Sequence, residues 1–328
     1  MLRLPPFELK VPATAAEAVR LKREAGAQGA YVAGGTDLYP NMKRRQQTPR
    51  VVIDIRRLPE LETIATASDG TLIVGSAVSL SCLIRDPLVR QSWPVLAQAA
   101  ATISTPLLQN MGTVGGNLLL DTRCNYYDQS YEWRQAIDFC MKKDGTICWV
   151  APSSPRCWAV QSSDLAPVMV ALDAKVRVVG PEGPRTIPAA ALYQNDGIDY
   201  LTLRPDELVT AIEVPPLAGA RADYQKLRRR GAFDFPVLGV ATWARVDQAG
   251  VVTDARVVLG AVASYPVTCR EAAQALVGQR LSDDVVDQAA RTAARPAKPL
   301  DNTDFTIGWR KEMVPVFVRR SLLSLRPA

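Results

Sequence analysis

A chain of 328 residues with 48% hydrophobic and 22% charged residues has the composition of a packed globular protein large enough for two or three domains. It contains no histidine, which excludes Ser-His-Asp and Cys-His nucleophiles, HExxH zinc sites and histidine proton shuttles together. The net charge of +6 is not gathered on a nucleic-acid module: the basic clusters Lys43-Arg44-Arg45 and Arg228-Arg229-Arg230 lie far apart with no such module around them and read as a solvated face or a basic edge that meets acidic partners or phosphates.

In chain order, Met1 to Leu9 is short, carries Pro5 and Pro6 and lacks the basic-then-apolar order of a secretion signal, and no apolar run reaches membrane-spanning length. A cytoplasmic protein with reduced thiols is expected, with neither nucleic acid nor membrane as partner. Thr14 with Glu17 makes a capping box for a helix to Ala25, which Gly26 stops. A strand near Tyr31 to Ala33 runs into the glycine loop Gly34-Gly35-Thr36-Asp37, and Val51 to Ile55 and Leu72 to Val74 read as short buried strands. A first subdomain over 1–57 follows from this. Helical stretches at Leu80 to Val89 and Val95 to Ile103 precede a second glycine loop, Thr113-Val114-Gly115-Gly116-Asn117.

From Asp121 to Ser163 the chain loses any sustained period and concentrates four of six cysteines and three of six tryptophans, as an inserted loop would. A helix returns over Asp164 to Leu172, and Lys175 to Val179 with Arg185 to Ile187 reads as a hairpin around Gly180-Pro181-Glu182-Gly183-Pro184. Strands are expected at Leu208 to Val214, Val237 to Val246 and Ala255 to Val262. Helices follow at Arg270 to Val277, Asp283 to Ala294 and Met313 to Leu325. The second subdomain is therefore drawn over 58–200, with the insertion at 121–163, and a C-terminal α+β domain over 201–328.

A strand ending in Gly-Gly-Thr lets the backbone approach a ligand, and exposed N–H groups there form an anion cradle suited to a pyrophosphate. One such loop is more often a simple turn. Neither loop fits Gly-x-Gly-x-x-Gly or the Walker pattern, so a Rossmann site or P-loop is not supported. Taken together, two Gly-Gly turns flanked by Thr36 and Asp37 and by Thr113 and Asn117 could clasp one extended dinucleotide.

The runs Val32-Ala33-Gly34-Gly35-Thr36-Asp37-Leu38, Thr113-Val114-Gly115-Gly116-Asn117, Asp164-Leu165-x-Pro167 with Ala171-Leu172-x-Ala174, and Tyr224-x-Lys226 with Arg230 resemble the molybdenum hydroxylase flavoproteins, the flavin subunits or domains of xanthine dehydrogenase and carbon monoxide dehydrogenase. The resemblance spans nearly the whole chain. It implies an α+β fold: a two-subdomain FAD-binding (PCMH-type) domain, then a C-terminal α+β domain with a small sheet packed on helices. It also implies FAD held by Tyr31, Val32, Ala33, Gly34, Gly35, Thr36, Asp37, Leu38, Ile103, Thr113, Gly116, Asn117, Asn125, Asp164 and Lys226. Asp164 would lie on the ribityl and adenosine side and Lys226 near the isoalloxazine ring.

The insertion departs from the family pattern, since 46 residues separate Asn117 from Asp164. Its thiols, Cys124, Cys140, Cys148 and Cys157, are spaced by 15, 7 and 8 residues, while Cys82 and Cys269 read as buried small hydrophobes. Four thiolates suit either structural zinc or an iron–sulfur cluster; without a close Cys-x2-4-Cys knuckle the spacing does not decide, and zinc stands slightly ahead on it. An insertion of this kind, however, is similar to that of 4-hydroxybenzoyl-CoA reductase flavin subunits. That resemblance implies a [4Fe–4S] cluster on the four cysteines and reductive dehydroxylation by a molybdenum-cofactor large subunit. Electrons would enter from ferredoxin and leave through a [2Fe–2S] small subunit, in a dimer of heterotrimers. The alternatives are an oxidative molybdenum hydroxylase with a zinc-bound insert and a non-redox nucleotide- or acyl-CoA-binding module.

Overall fold

The computed structural model describes residues 2–326 and resolves the chain into three sheets. In the first, β1 (Glu8–Lys10), β2 (Gly29–Val32) and β3 (Val51–Asp54) run parallel in the order β1-β3-β2. Helix α1 (Ala15–Ala25) makes the crossover from β1 to β2. Thr14 caps it by accepting from the Glu17 amide, and Gly26 ends it at φ +54°. Its Ala15, Ala18 and Val19 pack on Ile53, Ile55, Leu58 and Leu61. A short helix, α2 (Leu38–Lys43), follows the first glycine loop.

The second sheet contains β4 (Ile64–Thr66), β5 (Leu72–Gly75), β6 (Lys175–Gly180), β7 (Gly183–Pro188) and β8 (Leu208–Val214), in the order β4-β5-β8-β6-β7. Strand β8, assigned above to the C-terminal domain, is therefore the centre of this sheet, antiparallel to both β5 and β6. Its residues are nearly all buried, which a central strand requires. The boundary expected at 200/201 thus cuts the sheet and lies too early. Helices α3 (Leu80–Arg85), α4 (Pro87–Ser92), α5 (Pro94–Ala101), α7 (Val114–Leu118) and α9 (Leu165–Ala171) share its core, α6 (Pro106–Gln109) lies against α3, and α8 (Tyr131–Ala136) is inside the insertion. The single helix expected from Leu80 to Val89 breaks at Asp86-Pro87, because a proline ring excludes the helical bond to the preceding turn and Asp86 caps the new start. Cys82 is exposed, contrary to expectation, since Leu80 and Leu83 take the inward face of α3 and residue 82 falls opposite.

The third sheet is antiparallel, in the order β12-β11-β10-β9, built from β9 (Arg221–Leu227), β10 (Leu238–Val246), β11 (Val252–Gly260) and β12 (Val267–Thr268). Helices α10 (Arg270–Leu276), α11 (Asp283–Ala293) and α12 (Ile307–Ser324) cover one face, and α5 and α9 contact the sheet from the second subdomain. Among the described residues, no helix is long and apolar enough to cross a membrane.

Candidate functional site

The two glycine loops come together on one cavity of about 340 Å³, a volume suited to an extended cofactor. Tyr31 through Leu38, Ile103, Thr113, Gly116 and Asn117 all line it. Residues without a local signature complete the wall, among them Ser76, Leu108, Leu120, Asp121, Tyr200 and Phe235. They come from strand ends and connections distant in sequence, and only the fold collects them.

The glycines have different work. A side chain at Gly34 would put Cβ 1.7 Å from the Met111 carbonyl oxygen, so this glycine lets the first loop touch the backbone before the second. Gly35 has φ +70° and packs under the Tyr39 ring. Gly115 permits α7 to meet the Ser76 backbone. Only Gly116 has little near it besides the Thr113 hydroxyl, which it faces across the cap of α7.

Backbone amides separate the loops further. In the second loop they are engaged: Val114 donates to Val78 O, Gly115 to Ser76 O, Gly116 to Thr113 Oγ1 and Asn117 to Thr113 O. Among the described residues, the amides of Gly34, Gly35, Thr36, Asp37 and Leu38 have no acceptor in the chain. The anion cradle expected of both loops is thus present in the first and closed in the second. The buried hydroxyls of Tyr31 and Ser76, both in lining residues, also lack partners. Unsatisfied donors around a walled cavity fit a cofactor rich in acceptor oxygens.

Three expected flavin residues do not reach the cavity. They are Asp164, Lys226 and Asn125; Asn117, which does line it, joins the motifs, its Oδ1 accepting from Ser163 Oγ at 2.8 Å and from the Leu165 amide at 3.1 Å. This leaves Asp164 turned inward. Its carboxylate accepts from Tyr224 Oη at 2.7 Å and from Lys226 Nζ at 2.9 Å, with both side chains of the ion pair 3% exposed. Burial pushes the Asp164 carboxyl up and the Lys226 ammonium down, each opposed by the other's charge. Lys226 also donates to Thr102 O, so it braces the chain just before Ile103 from behind. It is neither solvated nor directed at the cavity. Asn125 is exposed, with its amide on Asn302 O and its carbonyl accepting from Gln129.

The insertion is tied down at many points. Arg123 and Val160 exchange backbone bonds at its base, Gln46 donates to Tyr127 O, and Asn302 donates to Trp158 O. Its four thiols, all buried, line a second, small cavity with Tyr126, Tyr127, Lys142 and Trp149. Burial pushes Cys124 up to about 12. The interaction between the neighbouring Cys148 and Cys157 thiols lowers the Cys148 thiol and raises that of Cys157. Among the described residues, no group of three or more Cys, Asp or Glu side chains is arranged to hold a single metal ion. The donor set therefore surrounds a space without closing on one point.

Arg123 links the two regions. It forms an ion pair with Asp37 of the first glycine loop, another with Asp128 at 3.0 Å, and lies over the Phe235 ring at 4.5 Å, while Asp128 accepts from the Cys124 amide.

Comparison with known proteins agrees with this architecture. Residues 5–217 match the FAD binding domain in molybdopterin dehydrogenase, and residues 222–325 the CO dehydrogenase flavoprotein C-terminal domain. The aldehyde oxidoreductase FAD-binding subunit PaoB of Escherichia coli is 33% identical over 282 residues, covering 82% of this chain and 85% of that protein. The carbon monoxide dehydrogenase medium chain of Hydrogenophaga pseudoflava is 28% identical over 320 residues, covering 97% and 96%. A crystal structure of the Cu,Mo-CO dehydrogenase in its cyanide-inactivated form matches with a TM-score of 0.82 at 25% identity over 98% of both chains. With both domain matches in chain order and the fold shared from end to end, the chain belongs to the FAD-binding subunits of the molybdopterin dehydrogenase family.

Proposed function

We propose that this chain is the electron-transferring subunit of a molybdenum-containing redox complex, carrying FAD between the glycine loops and a [4Fe–4S] cluster on Cys124, Cys140, Cys148 and Cys157. The observation that carries the reading is the pair of neighbouring cavities, one with unsatisfied donors and one with four buried thiols. FAD supplies a carrier that exchanges electrons in ones or twos, and the cluster a one-electron carrier. The first loop's free amides would hold the pyrophosphate. Asn117 would fix the second loop through Ser163 and Leu165, and Tyr126, Tyr127 and Trp149 would keep water from the thiols.

The complex would include a molybdenum-cofactor large subunit and a [2Fe–2S] small subunit; relatives named as FAD-binding subunits and medium chains support a division of labour among chains. The similarity of the insertion favours reductive dehydroxylation of 4-hydroxybenzoyl-CoA, with ferredoxin feeding the cluster. A second reading is favoured by the relatives' names, which are dehydrogenases and an oxidoreductase: an oxidative hydroxylase whose insert binds zinc.

Iron, sulfide, zinc and flavin analysis of anaerobically purified protein, with electron paramagnetic resonance after dithionite reduction, tests the two. About four irons and one FAD per chain are expected, since four thiolates suit one cubane. One zinc per chain would replace this reading with the second.

A further inference from the structure

We propose that Lys142, through its buried pair with Asp121, is a fixed charge shared by the two cavities that makes both cofactors easier to reduce. The inference deepens the functional reading above and rests on it for the identity of the second cofactor. Lys142 lines the thiol cavity and Asp121 the flavin cavity. The two side chains are 6% and 10% exposed, and Lys142 Nζ donates to Asp121 Oδ1 at 2.9 Å, to Thr122 Oγ1 at 2.7 Å and to Gly197 O at 2.7 Å. Its ammonium lies 4.8 Å from the Tyr127 ring, which lines the thiol cavity, and 5.5 Å from the Tyr200 ring, which lines the flavin cavity. Asp121 is held on its other side by Tyr127 Oη and Gln47 Nε2, both at 3.1 Å. The wall between the cavities thus holds a hydrogen-bonded unit built around the Lys142–Asp121 pair, beside the Arg123 pairs with Asp37 and Asp128.

Each cofactor gains negative charge when it accepts an electron, and a cation in a dry wall favours the reduced form, with little screening by water. Removing Lys142 takes that cation from the thiol side and leaves Asp121 uncompensated on the flavin side. Both effects act in the same direction. Lys143, one position on, is about a third exposed and pairs with Asp144, so its charge is screened.

The test is a redox titration of the anaerobically purified protein, following the cluster by paramagnetic resonance and the flavin by absorbance. In Lys142→Met both midpoints should fall, by about ten-fold in the reduction equilibrium of the cluster, which is about 59 mV for one electron. Lys142→Arg should stay near the wild type and Lys143→Met should not move. Unchanged midpoints in Lys142→Met, with iron and FAD retained, overturn the proposal. Should Lys142→Met lose its iron, Asp121→Asn decides: an uncompensated cation must raise both midpoints, and a fall or no change rejects the idea. If the wild type holds zinc in place of iron, the functional reading fails by its own assay, and the flavin midpoint alone judges Lys142.

Discussion

At the scale of the residue, side chains that look alike in sequence take opposite roles according to what surrounds them. Asp37 and Asp164 each stand just before the leucine that opens a helix, yet Asp37 lines the cavity, held by Arg123 and Asn41, while Asp164 is sealed in the core by Tyr224 and Lys226. Among the cavity residues Glu207 carries the clearest acid dependence. Arg185 donates to both of its oxygens at 2.6 and 2.7 Å, which holds the carboxyl below its ordinary value of 4.5. A carboxyl lowered in the folded state stabilises the fold above its unfolded value and loses that contribution as pH falls through the folded value. Unfolding midpoints measured from pH 6 down to about pH 3 should therefore decline in the wild type below about 4.5. Glu207→Gln should start less stable and decline less over that window; parallel curves would remove Glu207 from the account.

At the scale of the element, each glycine loop is shaped by the neighbour it must meet. The approach of Gly34 to Met111 O joins the first subdomain to the segment before the second loop, so the cavity exists only when both loops are seated. Gly34→Ala should cost about 1–3 kcal/mol of stability, since the clash is with backbone that cannot rotate away. It should also release flavin on gel filtration. An alanine variant with full FAD and unchanged melting temperature would show that the loops tolerate separation. The insertion, 121–163, has little regular structure beyond α8, and its order comes from bonds to the first subdomain and to the C-terminal domain. A sequence window cannot register such bonds, because their partners lie tens to hundreds of positions away.

At the scale of the whole molecule, the cavity between the glycine loops is walled by the first two subdomains with Phe235 from the third, and the thiol cavity lies wholly within the insertion. The two cavities are adjacent but separately built. With the proposed cluster on the four thiols, Cys148→Ser should abolish iron binding while keeping about one FAD per chain, read by metal analysis and flavin absorbance, because no thiol lines the larger cavity. Loss of both would mean that the insertion takes its fold only with its metal.

The sequence by itself determined the fold class, the family and most of the first cavity. Glycine runs, the capping box at Thr14 and the Asp-Leu-x-Pro helix are local devices whose meaning is carried by adjacent residues. The tertiary structure decided what local pattern cannot: that β8 is central to the second sheet, that Asp164 and Lys226 face each other, that only the first loop keeps free amides, and that Lys142 meets Asp121 between two cavities. Strand pairing, burial and ion pairing depend on which distant segments meet, and in this chain those meetings are set by the packing of three sheets on the helices between them.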